Sequence, residues 1–352
     1  MVDRNYISKA CAKLRVDDTD NEFVLSRILF LTTFAEKLDL EVLIDKEGLA
    51  ETICLNISRH AEQYSLSDPG KFQDQMADMA LAETLKLLFN VVNKCPTRIK
   101  DFSPALQHVL VILSKLPISP YNPLDNPVAS LVNALVNLDF KTTANTATIF
   151  PDSLPHIYTD RLIEILDKAT KVYKDSELEL LVSPLVLVIQ KAYEVAPNDV
   201  KSKLRKIILP STTDREQPLG RAETLPSRLL RQSTNPATPQ LGNTISSLQF
   251  EMSNKDARTF VQNVGYGFAS GFLFKHNVPV PENALEAWSN DNEVPQPDVQ
   301  HVDRAINPIT GQFSDREEHI DVNMTEEERE REAERLFVLF ERSDSYVNFI
   351  HT

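Results

Sequence analysis

Three of the chain's eight glycines fall in "VGYGFASG", residues 264–271, the stretch whose spacing comes nearest to a phosphate-binding loop. A dinucleotide fingerprint places G-x-G-x-x-G after a strand, and a P-loop reads G-x-x-x-x-G-K-[ST]. Here Gly265, Gly267 and Gly271 give G-x-G-x-x-x-G, and Lys275 comes four residues after the last of them. Phe260, Val264, Phe268 and Phe272 step by four, which is a helical period and not a strand. Glycines on or between helices permit a close helix crossing or a sharp turn. The expected role of all three is therefore helix packing, with no nucleotide cofactor. The seven histidines are scattered without H-E-x-x-H or another close metal spacing, and no G-x-S-x-G elbow is present. Covalent chemistry and a bound metal are not expected.

Amides and guanidinium groups are the better candidates. Asn90 in "LKLLFNVV" and Asn137 in "NALVNLDF" each sit late in an apolar helical run, and Asn133 lies one turn before Asn137. Such amides either hydrogen-bond the backbone of a bound peptide or satisfy the last carbonyls of their own helix. Arg228 and Arg231 in "LPSRLLRQ" are three apart and share a helical face. They either receive a partner's carboxylate or form a solvated face or internal ion pair. Ser314 before "DREE" and Thr325 before "EEE" suit an acidic-directed kinase. Cys11, Cys54 and Cys95 lack C-x-x-C spacing and read as buried thiols in a reducing compartment.

The elements that position these residues are helical throughout. Apolar periodicity predicts helices over 21–38, 79–95, 102–117, 126–140, 159–173 and 177–195, with further ones at 198–208, 225–232, 241–252 and 256–277. In the first, Phe23, Leu25, Ile28, Leu29, Thr32 and Phe34 form the face expected to be buried; in the second, Leu81, Leu85, Leu88 and Val92 do. Ser103–Pro104 and Asn126–Pro127 read as N-cap and first-turn pairs, and Thr159 or Asp160 as the cap of the helix that follows. Many helices with short connectors predict an all-α, armadillo/HEAT-like α-solenoid over 1–278, interrupted by a polar insertion at 211–226.

An extended acidic C-terminal arm is expected over 279–323, an amphipathic helix over 324–343 and a divergent tail over 344–352. Residues 281–342 hold 17 Asp and Glu against 6 Lys and Arg, a net of −11 out of the chain's −14. This acidity argues against nucleic-acid or anionic-membrane binding. Nothing resembles a signal peptide, and the most apolar run, 178–189, is too short to span a bilayer, so a cytoplasmic protein without membrane insertion is expected. In the last helix Thr325 and Glu328 form a capping-box pattern. Ala333, Leu336, Phe337 and Phe340 make an apolar edge that docks either on the solenoid or on a partner.

Three stretches in series resemble the synembryn family, the non-receptor exchange factors and folding chaperones of heterotrimeric G-protein α subunits. They are "FVQNVGYGFASGFLF" (260–274), "INPITG" (306–311) and "MTEEEREREAERLFVLFER" (324–342), with a looser match in "ETLKLLFNV" (83–91). The insertion from "PLGR" to "LPSRLLR" suggests a fungal-type member. The resemblance implies a solenoid gripping the C-terminal helix of an α subunit, with Asn90, Asn133 and Asn137 in that grip. It implies further that the arm from Ile306, Asn307 and Pro308 to Leu336, Phe337 and Phe340 braces the solenoid or reaches the Ras-like domain. By thermodynamic linkage such a protein favours the nucleotide-free α subunit by binding it best. Against the family's pattern, the chain is expected to begin partway along the solenoid and to depart after Arg342. An armadillo scaffold that binds a peptide without exchange activity is the alternative.

Overall fold

The computed structural model describes residues 4–15, 18–35, 38–66, 74–279, 304, 306, 307 and 310–316. The chain divides into a compact unit, Met1–Asp315, and a second unit, Arg316–Thr352. The amphipathic helix expected over 324–343, with Leu336, Phe337 and Phe340, lies outside the described residues, as does Pro308.

The first unit is helical. Its helices are α1 (Arg4–Leu14), α2 (Thr19–Thr32), α3 (Leu40–Glu47), α4 (Leu49–Leu66), α5 (Gln75–Lys94), α6 (Ser103–Lys115), α7 (Val128–Asn137) and α8 (Thr143–Ile149). There follow α9 (Ile157–Val172), α10 (Asp175–Glu177), α11 (Ser183–Val195), α12 (Asn198–Ile208), α13 (Leu225–Ser233), α14 (Pro239–Met252), α15 (Ala257–Val264) and α16 (Tyr266–Lys275). A π-turn, Leu178–Val182, carries α10 into α11. Among the described residues there is no β-strand, only an isolated antiparallel bridge between Ile306 and Phe313.

The helices pack in two rows. In one, α2 lies along α5, α5 along α7, α7 along α11 and α11 along α14. In the other, α4 packs on α6, α6 on α9 and α9 on α13. Between the rows α4 meets α5, α6 meets α7, α9 meets α11 and α13 meets α14. This stacking of helix pairs, each touching its neighbours, is consistent with an α-solenoid.

Burial follows from that arrangement. The α5 stripe Leu81, Leu85, Leu88 and Val92 is buried as the periodicity predicts, and Leu87 and Val91 are buried too because α5 has neighbours on three sides. Each fully buried leucine contributes roughly 1.5–3 kcal/mol. Helix α12 has the expected bounds, Asn198–Ile208. Helix α9 starts earlier than its expected cap: His156 is the N-cap, and Thr159 Oγ1 donates to the His156 carbonyl. The Asn126–Pro127 peptide is cis and α7 begins at Val128, with Asn126 Oδ1 accepting from Ser130 Oγ.

Two expectations are corrected. Residues 256–277 are not one helix: Gly265, at φ 84°, ends α15 and starts α16, a backbone region that disfavours any Cβ. Of the three glycines, Gly265 thus makes a sharp turn, whereas Gly267 and Gly271 are exposed on α16. A Cβ on Gly271 would meet open space, so no close crossing requires glycine there. The close approach is at Gly242 of α14, where a Cβ would stand 2.9 Å from the Ser233 carbonyl at the end of α13. Helix α2 is the second correction. Its buried positions are Glu22, Ser26 and Leu29, with Thr33 just beyond its end, while Val24, Ile28 and Leu31 are 49%, 46% and 58% exposed. At 100° per residue the two sets lie on opposite sides of the helix.

Candidate partner-binding site

The asparagines lie on seams between neighbouring helices of the first row. Helix C-termini leave carbonyls without partners and carry the negative end of the dipole. The next helix in the row supplies donors to them. From α5, Asn90 Nδ2 donates to Thr33 Oγ1 (2.9 Å) and Lys94 Nζ to the Thr33 carbonyl, closing the end of α2. From α7, Asn137 Nδ2 donates to the Phe89 carbonyl (3.0 Å), which lies inside α5 and not at its end. From α11, Lys191 Nζ donates to the carbonyls of Leu135, Val136 and Leu138 at the end of α7 (3.3, 2.6 and 2.7 Å). Lys191 also lies over the Phe140 ring, and burial pulls its pKa down to about 8.

Neither Asn90 nor Asn137 donates to the last carbonyls of its own helix; each reaches back to the previous helix of its row. The three amides differ in what they leave available. Asn90 is 9% exposed, and its donor is committed to Thr33. Asn137 is half-buried, and its Oδ1 has no partner among the described residues. Asn133 is half-buried four residues before it, on the same face of α7, and its amide makes no hydrogen bond among those residues. The face of α7 that carries Asn133, Val136 and Asn137 is therefore the part of this seam with unused amide groups.

The two arginines work inside the fold. Arg228 is buried: its guanidinium pairs with the Asp167 carboxylate and donates to Thr170 Oγ1 (3.1 Å) and the Glu223 carbonyl. Arg231 donates to the carbonyls of Gly220 (2.7 Å) and Ala222 (2.8 Å) and meets the Glu223 carboxylate at 3.4 Å. The loop 220–223 occupies the forks of both and α9 that of Arg228, so internal pairing is what this fold shows for the two. Burial pushes the Asp167 carboxyl up, but hydrogen bonding to Lys171 and the charges of Arg228 and Lys171 outweigh it. Its pKa falls below the ordinary value.

Ile306 and Asn307 belong to a turn held against this same unit. The Asn307 N–H donates to the Gln312 carbonyl (2.8 Å), the Gly311 N–H to the Asn307 carbonyl (2.8 Å) and the Thr310 N–H to Asn307 Oδ1 (3.2 Å). The turn in turn bonds to residues 215–219.

One polar cluster escaped the sequence analysis. Glu22 of α2 is buried, with Nε2 of His60 from α4 at 3.1 and 3.2 Å from its two oxygens. Thr84 Oγ1 of α5 donates to it at 2.7 Å, Ser26 Oγ stands 2.9 Å from Thr84 Oγ1, and Arg59 approaches at 3.5 Å. Burial raises the Glu22 pKa, but the His60 hydrogen bond and charge, Thr84 and Arg59 together hold it below its ordinary 4.5. The buried Nδ1 of His60 has no partner among the described residues. The only signal in the sequence was a glutamate one residue from an apolar run, which is unremarkable for a helix start.

Among the described residues no group of three or more His, Cys, Asp or Glu side chains could hold a metal ion, and no helix is long and apolar enough to cross a membrane. The described residues thus form an all-helical stack with unused amide groups on one face of α7. The family described as "guanine nucleotide exchange factor synembryn" matches residues 1–346, and the chain belongs to that family. A synembryn-like chaperone of Schizosaccharomyces pombe is 26% identical over 339 residues, covering 93% of this chain and 62% of the relative. The chaperone Ric-8A of Macaca fascicularis is 23% identical over 339 residues, covering 92% and 62%, and that of Xenopus tropicalis 24% over 272, covering 74% and 50%. The chain thus spans under two thirds of the length of these relatives.

Proposed function

We propose that this chain binds G-protein α subunits and acts as their folding chaperone and guanine nucleotide exchange factor, stabilising the nucleotide-free state. The observation that carries this reading is the family match over residues 1–346. The seam of α5 and α7 supports it physically: the Asn133 amide and the Asn137 Oδ1 have no partner among the described residues and suit the backbone of the C-terminal helix of an α subunit. The mechanism needs no covalent chemistry. An exchange factor lowers GDP affinity by binding the open α subunit more tightly than the GDP-bound one, and GTP binding then releases it by the same linkage. In this reading the arm from Ile306 to Phe340 either braces the solenoid or reaches the Ras-like domain.

Calorimetric titration of the full chain with a peptide spanning that C-terminal helix tests the site. The expected result is binding that Asn133→Ala weakens by about tenfold, the loss of one or two hydrogen bonds to a buried backbone. Equal affinity for the unaltered chain and the variant removes the α7 face from the site. The alternative, peptide binding without exchange activity, rests on the same stacked helices. The two readings share this titration and part at nucleotide release.

A further inference from the structure

Ile306, Asn307 and residues 310–315 interlock with the rest of their unit through hydrogen bonds, an ion pair and a buried ring. Arg215, buried in the turn after α12, donates through Nη1 to the Gly311 carbonyl and through Nη2 to the carbonyls of Gln262 and Asn263, each at 2.9 Å. The last two are carbonyls in the final turn of α15, just before the Gly265 break. In return the Phe313 N–H donates to the Arg215 carbonyl (2.9 Å) and the Leu219 N–H to the Thr310 carbonyl (3.0 Å). The Phe313 ring is fully buried, and the Arg304 guanidinium lies over it at 4.0 Å while pairing with Glu216 (2.8 Å) and Asp315 (2.7 Å). Gly311 has φ 68°, and a Cβ there would collide with the Leu219 side chain.

We propose that Ile306, Asn307 and residues 310–315 form a latch that opens and closes as one cooperative unit with the α15–α16 turn, with Arg215 as the coupling element. The guanidinium is planar, so its donors point in fixed directions. Closed, the latch and the end of α15 are held by donors of one rigid group. Open, a buried donor loses the Gly311 carbonyl, the Phe313 ring leaves its site and Arg304 loses its stacking surface. Arg215 then gains by moving toward water, which withdraws its other two bonds from the end of α15. The Gly265 turn, whose N–H bonds to Val261 and whose carbonyl accepts from Ala269, is the weak point that loosens next. The latch stands independently of the G-protein reading.

Hydrogen exchange on the full chain tests this, read on peptides covering 215–221, 259–270 and 306–315. In Gly311→Ala, exchange is expected to rise about tenfold in all three, with peptides from α5 and α7 unchanged. Arg215→Lys keeps the charge and removes the fork; it is expected to raise the same three together by a smaller factor, and it decides the question by itself if the glycine variant does not fold. Faster exchange in 306–315 with 259–270 unchanged would overturn the coupling. No change in any of the three would overturn the latch.

Discussion

The α2–α5 seam and the α5–α7 seam occupy successive places in one row and are held by opposite means. Helices α5 and α7 carry buried apolar side chains, Leu85, Leu88, Leu131 and Leu135 among them, and Asn137 joins the two helices at the Phe89 carbonyl. Between α2 and α5 the centre is a carboxylate: Glu22 gathers His60, Thr84 and Arg59, and Ser26 extends the chain of bonds. Leu29 is the apolar side chain of α2 that is fully buried there. An apolar seam is non-directional and tolerates repacking, whereas a polar seam is only as good as its complete set of partners. The difference teaches that α2 is positioned by hydrogen-bond geometry, leaving its apolar stripe Val24, Ile28 and Leu31 outward.

The comparison breaks most severely at Glu22. Glu22→Ala leaves His60 and Thr84 beside a void without their carboxylate partner and Arg59 without its counter-charge, and is expected to cost about 3–5 kcal/mol in urea denaturation, the range for breaking a buried ionic contact. Leu135→Ala, at the heart of the apolar seam, is expected to cost about 2–5 kcal/mol from lost transfer energy and the cavity. The two then part with pH. A carboxyl whose folded pKa lies below its unfolded one contributes fully above the unfolded value, and that contribution is lost as pH falls through the folded value. The deficit of Glu22→Ala relative to the unaltered chain should therefore shrink as pH drops below 4.5, while the deficit of Leu135→Ala holds. Equal pH profiles for both variants would mean that Glu22 does not carry the seam. The smallest effect is at Asn137→Ala, about 1 kcal/mol by thermal unfolding, the net value of one hydrogen bond to a carbonyl.

Much of the helical layout was legible because burial and period agree. The α5 stripe, the bounds of α12 and the stop-and-start of α13 and α14 all follow from residues whose own chemistry fixes them. Helix α2 was not legible: apolar residues occupy both of its sides, so periodicity selected Ile28 and Phe34 as core when both are exposed. Which side faces inward depends on His60 and Thr84, 38 and 62 residues from Glu22. The asparagines were found for their position, but their reach to the previous helix of the row requires the packing to be known. For Arg228 and Arg231 the sequence left partner contact and internal pairing both open, because the carbonyls of Gly220, Ala222 and Glu223 in their forks carry no side-chain signal. Arg215 was missed for the same reason: its acceptors are backbone groups 47, 48 and 96 residues away. The family resemblance, by contrast, rested on short local motifs and needed no packing at all.

The measurement that bears most directly on the proposed function is the rate of GDP release from a purified G-protein α subunit, with and without the full chain. The account predicts faster release in its presence, and a complex that persists without nucleotide and dissociates when GTP is added. An unchanged release rate together with no complex at micromolar concentrations would contradict it.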